Sequence, residues 1–299
     1  MNAVYVLDLH FLNSTETIAA FLVETTAGPV LIETGPESTF EQLEKAVAKA
    51  GFDISQIKHV FLTHIHFDHA GAAWKLAEAG AKIYVHPKGA PHLASPQKLW
   101  ESAAKIYGDK MDLLWGKMNP IDPNQIQMVN DGERVEIGQH TFQALHTPGH
   151  AVHHIAWKFD NIIFTGDVGG VKISKGPVVP PCPPPDIHLE DWKQSLQYIK
   201  NQQADALYLT HYGLITDVDT HLEDLALVLD QWATWIKGAF HSNTTQEDAV
   251  PQFMAYTKSE LDKKNVDEAL AQRYEYANPS WMSVAGLYRY WKLKSEGRI

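Results

Sequence analysis

Thr63-His64-Ile65-His66-Phe67-Asp68-His69-Ala70-Gly71 decides the reading of this chain. Four metal-ligand side chains fall within six residues, after the apolar run Val60-Phe61-Leu62 and before the helical-looking run Ala70 to Ala79. In extended backbone, residues two apart point the same way, so His64 and His66 are aimed at one ion. Asp68 and His69 come where the chain turns into the helix, and their different aim suits a second, neighbouring ion. Imidazole and carboxylate are ligands for zinc, and also for iron or manganese.

Working outward, residues 3–12, 18–24 and 30–32 read as strands, with Thr26-Ala27-Gly28-Pro29 as a turn. Ser38-Thr39-Phe40-Glu41 has the pattern of a capping box opening a helix that Gly51 stops. Residues 57–63 form the strand that delivers the motif, and Ile83-Tyr84-Val85 forms the next. Across residues 90–120, Ala103, Tyr107, Met111, Leu114 and Met118 recur at helical spacing, which predicts one or two amphipathic helices. These helices add core, or else form a lid or a dimer face beside the site. Strand patterns return at 135–137, 142–145, 155–157, 162–164 and 206–209, with a proline-rich loop at Pro177 to Pro185 and a helix near Leu189 to Lys200. From Thr220 the pattern is helical. Thr220-His221-Leu222-Glu223 resembles a second capping box, and two apolar stripes follow: Leu222, Leu225, Leu229, Trp232 and Ile236, then Trp281, Val284, Tyr288 and Trp291.

Three of these strands repeat the grammar of the first. Each ends in threonine, with a ligand-type residue close behind: Thr147-Pro148-Gly149-His150, Thr165-Gly166-Asp167 and Thr210-His211. If the strands run the same way, their tips share one rim. Together they supply five histidines and two aspartates, enough for two ions.

His64-x-His66-x-Asp68-His69, followed by His150, Asp167 and His211, resembles the metal-binding set of the metallo-β-lactamase-fold hydrolases, glyoxalase II-like in its binuclear motif. The resemblance covers roughly residues 1–215. It implies an α+β, four-layer αβ/βα sandwich, to which the helical spacings add an insert at about 90–120 and a C-terminal extension over 216–299. It also implies that His64, His66 and His150 take one metal, that Asp68, His69 and His211 take the other, and that Asp167 bridges them. Glu33 is a departure, because many members carry aspartate in that turn. The expected cofactors are two divalent ions, zinc first and iron or manganese after it. The expected activity is hydrolysis of a small ester, thioester, lactone or phosphoester by a metal-bridging hydroxide, with Asp68 also handling a proton. The rivals are a mononuclear iron oxygenase similar to persulfide dioxygenases, and a non-catalytic metal-binding protein.

Composition narrows the partners. The 25 Lys+Arg against 36 Asp+Glu give a net charge of −11, which repels phosphate backbones and argues against nucleic acid, RNA processing included. No apolar run has the length of a membrane span, and residues 1–11 do not read as a signal peptide. A single cysteine, Cys182, fits a reducing compartment, so a cytoplasmic location and a small-molecule substrate are expected. The aromatic-rich insert and tail suggest a homodimer. Beyond the ligand set, His153, His154 and Tyr212 are candidates to line the pocket. Lys172 and Lys175 are candidates to attract an anionic group. Cys182 has no activating base nearby in sequence and is given no role.

Overall fold

Alternating apolar residues with both faces covered explain why so much of this chain is strand. In the computed structural model, which describes residues 3–299, the strands form two six-stranded sheets. The first contains β1 (Val4–Asp8), β2 (Ala19–Thr25), β3 (Gly28–Ile32), β4 (His59–Phe61), β5 (Lys82–Val85) and β6 (Ile126–Met128), side by side in that order. The second contains β7 (Arg134–Ile137), β8 (His140–His146), β9 (Ile155–Phe159), β10 (Ile162–Phe164), β11 (Ala206–Leu209) and β12 (Gly213–Ile215). β2 shows the physical rule: Ala20 and Leu22 face one apolar cluster, while Ala19, Phe21 and Val23 face another. A strand buried on both faces belongs inside a layered fold.

Aromatic side chains fill the space between the sheets. Phe61 stacks on Tyr84 at 4.4 Å and on Phe142 at 4.5 Å between ring centres, and meets Trp157 edge-on at 4.8 Å. Helices cover the outer faces. α1 (Phe40–Lys49), α2 (Phe67–Ala70) and α3 (Ala73–Glu78) lie with the first sheet. The insert forms α4 (Ala90–Ala94), α5 (Gln97–Tyr107) and α6 (Met111–Leu114). α7 (Leu189–Lys200) covers the second sheet, followed by the extension helices α8 (Val218–His241), α9 (Gln246–Lys263), α10 (Glu268–Ala277) and α11 (Ser280–Ser295). This is the expected α+β sandwich with its helical C-terminal region. No helix among the described residues is long and apolar enough to cross a membrane.

Several local expectations are corrected. The Ser38 box does not form: the Ser38 hydroxyl donates to the Leu114 carbonyl at 2.7 Å, tying the insert to the start of α1. Thr220 lies inside α8, which begins at Val218, so it cannot cap that helix. The stripe of α11 is shifted. Val284 is buried together with Leu287 and Tyr290, while Trp281 is 36 % exposed. The Leu222 to Ile236 stripe is buried throughout.

Strand direction positions the site. β3, β4, β5 and β6 are mutually parallel, and β10 is parallel to β11. β9 is antiparallel to both β8 and β10, so β8, β10 and β11 point the same way. Backbone bonds then lock the two sheets at this rim. Ile155 N donates to the Thr63 carbonyl at 2.7 Å, and Ala19 N to the Thr210 carbonyl at 2.8 Å. The indole of Trp157 donates to the Leu62 carbonyl at 2.9 Å.

Candidate metal centre

The four strand tips bring all seven predicted ligand residues together. His64, His66, His150 and Asp167 form one group, and Asp68, His69, Asp167 and His211 form a second, with Asp167 in both. In the first group His64 Nε2 lies 2.9 Å from His66 Nδ1, His66 Nδ1 lies 3.1 Å from His150 Nε2, and His150 Nε2 lies 3.3 Å from Asp167 Oδ2. In the second, Asp167 Oδ1 lies 3.1 Å from His69 Nε2 and 3.4 Å from His211 Nε2. Asp68 Oδ2 stands 3.6 and 3.5 Å from the same two nitrogens.

These edges have a chemical meaning. Tetrahedral ligands at metal–ligand bonds of 2.0–2.1 Å are separated by about 3.3 Å, the spacing seen here. The buried atoms His69 Nε2, His211 Nε2 and Asp167 Oδ1 make no hydrogen bond of ordinary geometry among the described residues, although a buried polar atom ordinarily makes one. Ring nitrogens and carboxylate oxygens that converge in this way fit a cation.

The outward nitrogens are held from behind. His150 Nδ1 donates to the Pro181 carbonyl at 2.9 Å, and His211 Nδ1 donates to the Thr17 carbonyl at 2.7 Å. Both contacts fix the tautomer that turns the Nε2 lone pair inward. His64 Nδ1 meets the Thr63 hydroxyl at 3.0 Å, and His69 Nδ1 meets Glu33 Oε1 at 3.1 Å. Glu33 also accepts from the hydroxyl and backbone N–H of Thr63. The longer side chain therefore keeps the contact that an aspartate in this turn would be expected to make. Glu33, His64 and His69 also approach one another closely, but the Glu33 carboxylate sits on the outer nitrogen of His69.

Electrostatics divides the histidines. Burial holds His64 well below the ordinary imidazole range, and the neighbouring imidazoles of His69, His66 and His150 add to it. Burial and His150 bring His66 to about 4. Burial would also lower His69 and His211, but facing carboxylates outweigh it: Asp167, Asp68 and Glu33 raise His69, and Asp167 and Asp68 raise His211. Asp167 would be raised by burial, yet His69, His150 and His211 hold it well below the carboxylate range.

The remaining candidates separate cleanly. His154 is fully buried, with Nδ1 on the Thr147 hydroxyl at 2.8 Å, and serves the fold. His153 keeps an unpartnered Nδ1, and its ring centre lies 6.0 Å from that of His66. Tyr212 turns away from the site: its phenol is raised by burial and by Asp8, to which it hydrogen-bonds. The backbone N–H of Lys172 donates to the His211 carbonyl at 2.6 Å, bracing that ligand's loop. Cys182 is buried, and burial pushes its thiol up, which suits packing rather than nucleophilic attack.

Two contributors were not singled out from sequence. Trp192 donates its indole N–H to the Val168 carbonyl at 2.9 Å and stands edge-on to His150 at 5.7 Å. His221 is buried and donates to the Gly169 carbonyl at 2.8 Å. Both grip the turn Gly166–Gly169 that carries Asp167. A polar side chain on the apolar face of a helix was the only available signal.

The chain is similar to known proteins in sequence and in fold. Residues 15–211 match the model of the metallo-beta-lactamase superfamily. The metallo-beta-lactamase fold-containing protein ST1585 of Sulfurisphaera tokodaii is 29% identical over 181 residues, 58% of this chain and 67% of that protein. The atrochrysone carboxyl ACP thioesterase of Aspergillus fumigatus is 26% identical over 210 residues, 68% of this chain but 39% of that enzyme. The metallo-beta-lactamase family protein TTHA1429 of Thermus thermophilus has a similar structure, with a TM-score of 0.68 at 19% identity over 98% of this chain and 94% of that one. With the family model spanning most of its length and the sandwich fold in place, the chain belongs to the metallo-beta-lactamase superfamily.

Proposed function

We propose that this chain is a binuclear metal-dependent hydrolase of a small ester, thioester, lactone or phosphoester. The observation that supports this best is Asp167, whose two carboxylate oxygens address two separate histidine sets. In this reading His64, His66 and His150 hold one divalent cation, Asp68, His69 and His211 hold the other, and Asp167 spans both. A pair of such cations, zinc first among the candidates, activates water near neutral pH and polarises a substrate oxygen.

The chain's own residues set the conditions for that chemistry. Asp68 and Asp167 offset part of the four positive charges and leave a centre that attracts an electron-rich group. Thr63, Glu33 and the carbonyls of Thr17 and Pro181 keep the imidazoles from rotating. The Asp68 side chain is 19% exposed against 5% for Asp167, and in this reading it carries a proton toward the leaving group. The fungal relative described as a thioesterase supports an acyl substrate. Residues 1–215 would then form the catalytic unit, and 216–299 the extension packed on it.

Elemental analysis of protein purified without added metal, followed by an ester, thioester and phosphoester panel, tests the reading. The expected result is two zinc per chain, with turnover that a chelator abolishes. Asp167→Asn is expected to reduce the stoichiometry below two and kcat/KM by about a hundredfold or more. One iron per chain with oxygen uptake would replace the hydrolase by the oxygenase alternative.

A further inference from the structure

The metal motif is also the start of an aromatic surface. Phe67 lies between His66 and Asp68. Its ring meets Trp100 edge-on at 5.8 Å and stacks on Trp115 at 6.0 Å. Tyr107, at the end of α5, stands edge-on to Trp115 at 5.2 Å and to Trp281 of α11 at 6.0 Å. The Tyr107 hydroxyl has the Met282 sulfur, at 4.0 Å, as its contact with the extension. The insert and the extension therefore meet beside Asp68. Burial and the Asp68 charge together raise the Tyr107 phenol, so it stays protonated.

This surface is not closed over. Trp281, at its outer end, is 36 % exposed. Exposed aromatic and aliphatic surface is costly unless something covers it. The wall joins the proposed centre at Phe67, which is flanked by the ligand residues His66 and Asp68, and at Tyr107, which the Asp68 charge reaches.

We propose that this wall seats an apolar acyl group of the substrate, a medium-length alkyl or aryl chain, and that Tyr107 and Trp281 set that specificity. The proposal rests on the hydrolase reading and names its substrate class.

The test uses the metal-loaded full chain and p-nitrophenyl esters from acetyl to octanoyl. A fully buried methylene corresponds to about fourfold in affinity. With partial burial, kcat/KM is expected to rise by about fiftyfold across the series. Trp281→Ala and Tyr107→Ala should flatten the rise, while Tyr107→Phe, which keeps the ring, should preserve it. Calorimetric binding of octanoate against acetate to the same protein gives a second readout that needs no turnover. A flat wild-type series with equal binding of the two acids overturns the proposal. So does a Trp281→Ala protein that changes from dimer to monomer with its chain-length preference intact, since the wall would then belong to a second copy. Octanoate binding that Trp281→Ala weakens, without hydrolysis of any ester, would leave the wall in place and remove the hydrolase.

Discussion

Glu33 decides more at this site than its position in a turn suggests. It is fully buried, has a left-handed backbone with φ of 63°, and puts one carboxylate between Thr63 and His69. Partners of this kind typically change metal affinity by about 10–100-fold. Glu33→Gln, which keeps the shape but not the charge, is expected to weaken metal binding by about that factor, measured by chelator competition. Protonation follows from the same charges. Without cations, the carboxylates of Asp167, Asp68 and Glu33 keep a proton on His69 above the ordinary imidazole range, and Asp167 and Asp68 do so for His211. Metal must displace those protons, so affinity rises with pH and zinc uptake releases acid. Indicator absorbance in weak buffer near pH 7 should report proton release on zinc uptake, and none if both imidazoles are already neutral.

At the scale of elements, the decisive feature is how helices α7 and α8 hold the turn that carries Asp167. Gly149, one residue before His150, has φ of 128°, and a Cβ there would run into the Trp192 backbone. Gly149→Ala combines strain with overpacking, and a loss of about 3 kcal/mol or more is expected in urea unfolding, together with weakened metal binding. His221 gives a pH signature. Burial lowers it to about 4 in the folded chain, against an ordinary 6.5. Between those values the unfolded chain takes up a proton that the folded one refuses, so stability falls as pH falls through that window, by roughly 3 kcal/mol at the limit. His221→Gln retains a donor for Gly169 but cannot titrate. The difference in urea midpoint between pH 7 and pH 5 should be smaller in the variant than in the parent.

At the scale of the molecule, the helical extension does not own a separate core. Leu225, Leu229, Trp232, Ile236, Val284 and Leu287 share one cluster with Ile163, Val168, Trp192, Leu207 and Leu209 of the sandwich. Gly286 lets α11 sit directly against the Cys182 carbonyl, in the loop whose next carbonyl but one toward the N-terminus, that of Pro180, accepts from Asn278. The neighbouring Pro181 carbonyl holds His150. A chain ending at residue 215 would uncover the apolar side of the second sheet. It is expected to aggregate or to bind a hydrophobic dye strongly, whereas an independent extension would leave a soluble fragment with a sharp thermal transition.

The sequence alone determined which side chains could serve as ligands, and the family resemblance they carry determined the sandwich. Ligand-type residues follow threonine at strand tips, and that pattern is local, written in spacings of two or three residues. It also determined the buried α8 stripe, because a period of 3.6 needs no tertiary context. It misplaced the caps at Ser38 and Thr220, because a serine or threonine hydroxyl takes whichever partner folding brings near, and the insert supplied the Leu114 carbonyl. Only the tertiary structure decided that His153 faces His66 while His154 turns onto Thr147, that Tyr212 turns toward Asp8, and that Glu33, Trp192 and His221 hold the centre from behind. Those roles join residues far apart along the chain, and the distance that matters to a hydrogen bond is through space.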